Sequence, residues 1–179
     1  MTAAATAAPE FSRPIKVDQI GRQPASTRIA ADPTERDALA ARFGLVSLDL
    51  LEADYALTEE AGAVLARGRI RARLAQPCVA TGTPVPETID TDFLLRFVLE
   101  SDDGDDEELE LDADDCDTIG YDGQVIDMGE AVAETVALTM TPYPRAAHAD
   151  AALREAGVLS EEQASPFAAL RALKDGDPD

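Results

Sequence analysis

The chain has 179 residues and a formal charge of −21, from 15 lysines and arginines against 36 aspartates and glutamates. That length suits one domain with a real core, although alanine supplies much of the apolar fraction and tryptophan is absent. So negative a field repels phosphate backbones and disfavours non-specific nucleic-acid binding through the net field alone, and no apolar run approaches the ~20 residues of a membrane helix.

The first residues, MTAAATAAPEFSR, lack a basic stretch followed by an apolar one and read as a short disordered tail rather than a signal peptide. FSRPIKVDQI then supplies a short strand with Ile15 and Val17 on one face, and GRQPASTRIA reads as loop. In DPTERDALAARFG, Asp32 falls at an N-cap, Pro33 at the first helical position and Glu35 three residues past the cap. Leu39 and Phe43 share a face four residues apart, and Gly44 can end the helix.

VSLDLLEADYAL, residues 46–57, reads as a strand whose apolar phase changes from Val46, Leu48 and Leu50 to Leu51, Ala53, Tyr55 and Leu57. A one-residue change of phase predicts a β-bulge near Leu50, and TEEAG follows as a turn. The next two segments alternate most clearly. Arg67, Arg69, Arg71 and Arg73 interleave with Ile70, Ala72 and Leu74, while Ile89, Phe93, Leu95, Phe97 and Leu99 share one face of ETIDTDFLLRFVL. Paired as a hairpin with Leu74 opposite Ile89, the two would set Arg73 beside Asp90 and Arg71 beside Asp92.

ESDDGDDEELELDADDCD, residues 100–117, contains no lysine or arginine and cannot bury enough apolar surface to offset its chain entropy. It reads as a solvated acidic loop. Beyond it, Asp127 and Glu130 form a second D-x-x-E cap before an apolar stripe of Val132, Val136 and Met140 with Leu138 nearby, and Pro142 and Pro144 stop the helix. ALREAG is a further helical stretch, and Ser165 and Pro166 can open a last one with Phe167, Leu170 and Leu173 as its contacts.

Little here converges on a reactive centre. Cys78 has Thr81 where a C-x-x-C partner would stand, Cys116 is surrounded by aspartates that disfavour a thiolate, and His148 is the only histidine. Three scattered N and S ligands make neither a zinc site nor a thioredoxin-like pair, so Cys78 reads as a small buried side chain at a strand end. Calcium-loop spacing fails around both Gly104 and Gly123. With one histidine, in the loop-like stretch PRAAHADA, a catalytic triad has little support, and no P-loop or Gly-rich dinucleotide turn is present. The arginine stripe has two readings: ordinary pairing with Asp90 and Asp92, or a patch that grips RNA phosphates.

The order of FSRPIKV, RARLAQPCVATGTPVPETIDTDFLLRF, VIDMGEAVAETVALTMTPYPR after an acidic insert, and SPFAALRALK resembles the YceD family, the large ribosomal RNA subunit accumulation proteins, over about residues 11–174. The family's hairpin usually carries C-x-x-C; here the motif keeps Cys78 and has Thr81 in the second place. Asp127, Glu134, Pro142 and Pro144 match the family's capped, proline-ended helix. The resemblance implies a role in making or stabilising large-subunit ribosomal RNA. It implies no reaction and carries no catalytic residue.

The expected fold is α+β: an antiparallel sheet of four or five strands able to curl toward a barrel, helices packed on it, and a long acidic loop. It would comprise a tail at 1–10, one domain over 11–174 with an acidic insert at 100–118, and a tail at 175–179. The expected function is that of a non-enzymatic, cytoplasmic ribosome-assembly factor with no cofactor, no small-molecule substrate and no membrane. Its partner would be a basic ribosomal protein or the pre-ribosomal RNA of the large subunit. Asp102, Asp103, Asp105, Asp106, Glu107 and Glu108 would hold the protein, and Arg67, Arg69, Arg71 and Arg73 the RNA. The alternatives are an RNA-binding module using only the Arg67–Arg73 face and, further off, a metal-dependent enzyme.

Overall fold

The computed structural model describes residues 9–22, 24–60, 62–99 and 117–158. The acidic segment up to Cys116 and the expected helix after Ser165 lie outside them. The described residues form two compact units, one built from residues up to Gln76 together with Pro86–Thr141, the other from Pro77–Val85 and the chain from Pro142 on.

The first unit is a five-stranded sheet with two helices and a short ribbon. Strands β2 (Thr27–Ala30), β3 (Ser47–Glu60), β4 (Ala63–Pro77), β5 (Pro84–Leu99) and β6 (Asp117–Tyr121) lie in that order across the sheet. The order is linear, so the sheet is open and β2 and β6 are its edges. β2–β3 and β3–β4 are antiparallel, and β6 runs parallel to β5 with Leu95 opposite Asp117 and Leu99 opposite Tyr121. A separate ribbon pairs β1 (Pro14–Lys16) with β7 (Val125–Asp127).

Period-two alternation decides which face is buried. Ile70, Leu74, Ile89, Phe93, Leu95 and Phe97 are all buried, as their spacing requires. The bulge also falls where the change of phase puts it, with pairing shifting between Leu48 and Leu50 so that Leu48 and Leu51 both face the core. Two segments depart from the sequence reading. Thr27–Ala30 is a strand, not loop: it has one buried side chain, Ile29, and it is β3 that holds it extended. Val17 leaves the strand to start a 3₁₀ turn, Val17–Arg22, which buries Ile20 instead.

Helix α1 (Pro33–Phe43) begins with the complete capping box. The Asp32 carboxylate accepts from the Glu35 N–H, and the Glu35 carboxylate accepts from the Asp32 N–H. It ends at Gly44 in the left-handed conformation that glycine adopts without strain. Helix α2 (Met128–Thr139) turns Met128, Val132 and Val136 into the core, while Leu138, expected near that stripe, is 81% exposed. Its first turn presses on the N-terminal segment so closely that a Cβ on Gly129 would run into the Phe11 carbonyl.

Asp127 joins these parts. Its Oδ1 accepts from the backbone N–H groups of Gly129 (3.0 Å) and Glu130 (3.2 Å), capping α2, and from that of Arg13 at 2.7 Å. Its Oδ2 accepts from the Ser12 hydroxyl at 2.5 Å. Arg13 continues the chain of contacts with a forked pair to Glu35 at 2.7 and 2.8 Å. At the far end of α1, Arg42 joins Glu130 of α2 and Glu10.

Phe93→Ala is expected to destabilise the protein by about 3–5 kcal/mol, because truncating a buried phenylalanine loses transfer energy and leaves a cavity. A chemical-denaturation curve unchanged by that substitution would contradict the placement of Phe93 in the core.

Candidate interaction surface

The outer face of the sheet carries the arginines. Residues two apart on a strand share a face, so Arg67, Arg69, Arg71 and Arg73 stand in one row along β4. On β3 the residues opposite them are Ala56, Asp54, Glu52 and Leu50 in turn. The change of phase at the bulge aims Glu52 and Asp54 outward, because Leu51, Ala53 and Tyr55 point in.

Ion pairs run across this face. Arg71 reaches Asp54 at 2.9 Å and Glu52 at 3.4 Å on β3, and lies 3.9 Å from Asp90 on β5. Arg69 holds Asp90 at 2.6 Å and Asp92 at 3.3 Å. Arg28, on the edge strand β2, reaches Glu52 at 2.6 Å. The Asp54 carboxylate holds the Arg71 guanidinium more firmly protonated, and Asp90 does the same for Arg69. In return the Arg69 guanidinium holds the Asp90 carboxyl below its ordinary range. Among the described residues, Arg67 and Arg73 form no ion pair. They stand at the two ends of the row, about 20 Å apart at ~3.3 Å per residue.

This corrects the expected pairing. Asp90 meets Arg69 where Arg73 was expected and lies 3.9 Å from Arg71, and Asp92 meets Arg69 where Arg71 was expected, each an even number of residues nearer the start of β4. An even slip keeps every side chain on its own face, so the hydrophobic pattern is blind to it. Charge is blind too, since either arrangement puts an arginine beside an aspartate. The partners that sequence reasoning missed are Glu52, Asp54 and Arg28. The signal for the first two was present, because the apolar phase Leu51, Ala53, Tyr55 leaves them outward.

In the second unit, Cys78 is 3% exposed and ends a tied loop. Its N–H donates to the Thr83 carbonyl, its carbonyl accepts from Gly82, and its sulfur accepts from the Ala146 N–H at 3.3 Å. That donor, with the Thr81 hydroxyl, draws the thiol's pKa down to about 7. Thr81, at the second place of the C-x-x-C motif, also shares a 2.8 Å hydrogen bond with the Thr83 hydroxyl. Val79 donates to the carbonyl of Pro144, which is buried; Pro142 is exposed. His148 is exposed at the start of α3 (Ala149–Glu155). Among the described residues no three histidine, cysteine, aspartate or glutamate side chains gather as metal ligands, and no helix is long and apolar enough to cross a membrane.

Of the remaining motif positions, Asp127 is the α2 cap and Glu134 is exposed on that helix. The six acidic positions from Asp102 to Glu108 lie outside the described residues.

Fold and surface together define an α+β protein with an open, antiparallel-rich sheet that buries one face and turns a lattice of arginines and carboxylates outward. The family model described as large ribosomal RNA subunit accumulation protein YceD matches residues 66–174, more than half of the chain, and the chain belongs to that family. The match takes in β4, β5, α2 and the Cys78 loop. Its description names ribosomal RNA accumulation and no reaction. No curated protein and no solved structure matches this chain.

The Asp90 pairing has a definite pH signature. A carboxyl whose pKa is depressed by folding contributes stability above its unfolded pKa, and that contribution disappears as pH falls through the folded value. Asp90→Asn is therefore expected to lower the melting temperature at pH 7 and to leave it unchanged well below the ordinary aspartate value of 3.8. Thermal melts of both proteins from pH 7 to about pH 2 check this; a difference independent of pH would remove the Arg69–Asp90 pair as its cause.

Proposed function

We propose that the chain is a non-enzymatic factor that supports large-subunit ribosomal RNA accumulation during ribosome assembly, in the cytoplasm. It meets pre-ribosomal RNA through the outer face of the sheet and a basic ribosomal protein through the acidic segment that holds Asp102, Asp103, Asp105, Asp106, Glu107 and Glu108. The observation that carries this reading, alongside family membership, is the state of the arginine row. At its centre Arg69 and Arg71 are paired with four carboxylates, while Arg67 and Arg73 at either end form no ion pair among the described residues. RNA meets a balanced surface with two fixed cationic points instead of the repulsion that a charge of −21 implies for the chain as a whole.

Neutralising a phosphate contact reduces the salt dependence of binding by somewhat under one unit of log–log slope per contact. Arg67→Gln with Arg73→Gln is expected to lower the slope for a large-subunit RNA fragment by roughly one and a half. Filter binding at a series of salt concentrations reads this directly, and an unchanged slope rejects the face as the RNA contact.

Deleting residues 100–117 is expected to remove salt-sensitive capture of basic ribosomal proteins in pull-downs at low salt. Should capture survive the deletion while the arginine substitutions still weaken RNA binding, the RNA contact stands and the acidic segment has no role in holding a basic protein.

A further inference from the structure

A second acidic feature lies within the described residues, on the first unit. Between α2 and the β6–β7 connection runs an open groove of about 280 Å³. Its floor is apolar: Ile119 of β6 and Val125 of β7 reach the surface, over the buried Phe97 of β5 and Ile126 of β7. Its rim holds Asp122, Asp127, Glu130 and Glu134, and neither lysine nor arginine lines it.

The four carboxylates are not equivalent. Asp127 spends its oxygens on Ser12, Arg13 and the first turn of α2. Glu130 is held by Arg42 at 2.7 Å. Glu134 forms no ion pair among the described residues, and it follows Glu130 by one helical turn, a spacing at which like charges destabilise a helix. Asp122 accepts from the backbone N–H groups of Gln124 (2.8 Å) and Val125 (3.2 Å), which fix the carboxylate in place and favour its ionised form. Among the described residues, Asp122 and Glu134 thus line an apolar groove with no cation paired to them.

We infer that this groove is a docking site for a basic, partly apolar polypeptide segment, which places an arginine or lysine stem on Ile119 and Val125 and its charged head between Asp122 and Glu134. A long aliphatic stem ending in a cation matches an apolar floor with an acidic rim. Arginine adds a planar fork suited to carboxylates. The volume admits one or two side chains, so the partner is an extended segment presenting its side chains in turn. Phosphate is repelled by the same rim, so RNA is not the occupant. The inference rests on the basic-protein arm of the proposed function and gives it a second surface, separate from residues 100–117.

The test is fluorescence anisotropy on the full chain with a labelled peptide alternating arginine and leucine, and an alternating glutamate–leucine peptide as control. The native protein is compared with Asp122→Asn/Glu134→Gln. Both substitutions are at exposed positions, and asparagine keeps the acceptor that the turn at 122 needs. Both proteins carry the same acidic segment, so its attraction cancels in the comparison.

The double variant is expected to bind the basic peptide about tenfold more weakly, the equivalent of ~1.4 kcal/mol. Peptide-induced amide shifts should centre on Ile119 and Ile126. Equal affinity in the two proteins, no binding by the native chain, or equal binding of the acidic peptide would overturn the site. Failure here leaves RNA binding through Arg67 and Arg73 standing, and failure of that contact leaves the groove's peptide affinity intact, so the two readings are separately decided.

Discussion

The first unit depends on one carboxylate. Asp127 closes β7, caps α2 and receives both the hydroxyl of Ser12 and the amide of Arg13, so one side chain ties the N-terminal segment, a strand and a helix. Helix N-termini attract anions, which makes an aspartate at a cap favourable by itself. Here the cap's spare lone pairs hold a segment more than a hundred residues away in sequence. Arg13 carries the connection to Glu35 and thereby to the capping box of α1, while lying over the ring of the buried Phe11. Two helix starts are therefore joined through one arginine. Arg42, which bridges Glu10 and Glu130, joins the end of α1 to the start of α2. Each contact alone is modest, about 0.5–3 kcal/mol for a hydrogen bond with or without charge. Their value lies in fixing where the helices cross a sheet whose core is thin in large side chains.

The sheet solves a different problem. An antiparallel sheet with one wet face has to do something with that face, and this one covers it with opposite charges on adjacent strands. Exposed cross-strand pairs contribute only a few tenths to about 1 kcal/mol each, so the lattice is weak evidence for stability. Its larger consequence is electrostatic. A row of four arginines would be a strong cationic stripe, but with Glu52, Asp54, Asp90 and Asp92 beside it the field collapses to the two ends. A strongly acidic chain can thus offer selected points of positive charge to a phosphate backbone without presenting a patch that binds any anion. Steering and register, more than raw affinity, follow from such an arrangement. The groove beside α2 shows the reverse sign: apolar residues form its floor and carboxylates its rim.

Much of this was legible in the residues, and the rest was hidden for identifiable reasons. Alternation along β4 and β5 named the buried face, the change of phase at Leu48–Leu50 named the bulge, and D-x-x-E named the start of α1, because each is a local steric or hydrogen-bonding rule that the chain obeys wherever it goes. At α2 the same D-x-x-E pattern was half right. Asp127 does cap, but Glu130 turns to Arg42, a residue 88 positions away that no local rule could propose. β2 was missed because its four residues hold one buried side chain and owe their extension to β3.

The residues alone carry the periodicity: which side chains face in, which face out, where helices begin and where acid accumulates. Those properties depend on neighbours within a few residues. The tertiary structure alone decided partnership. It chose Asp90 for Arg69, set Glu52 and Asp54 against Arg71, left Arg67 and Arg73 at the ends, and drew Asp122 and Glu134 to one groove. The reason is geometric. A strand moved by two residues keeps its faces and changes all of its partners, so a pattern of period two cannot carry the information that selects between them.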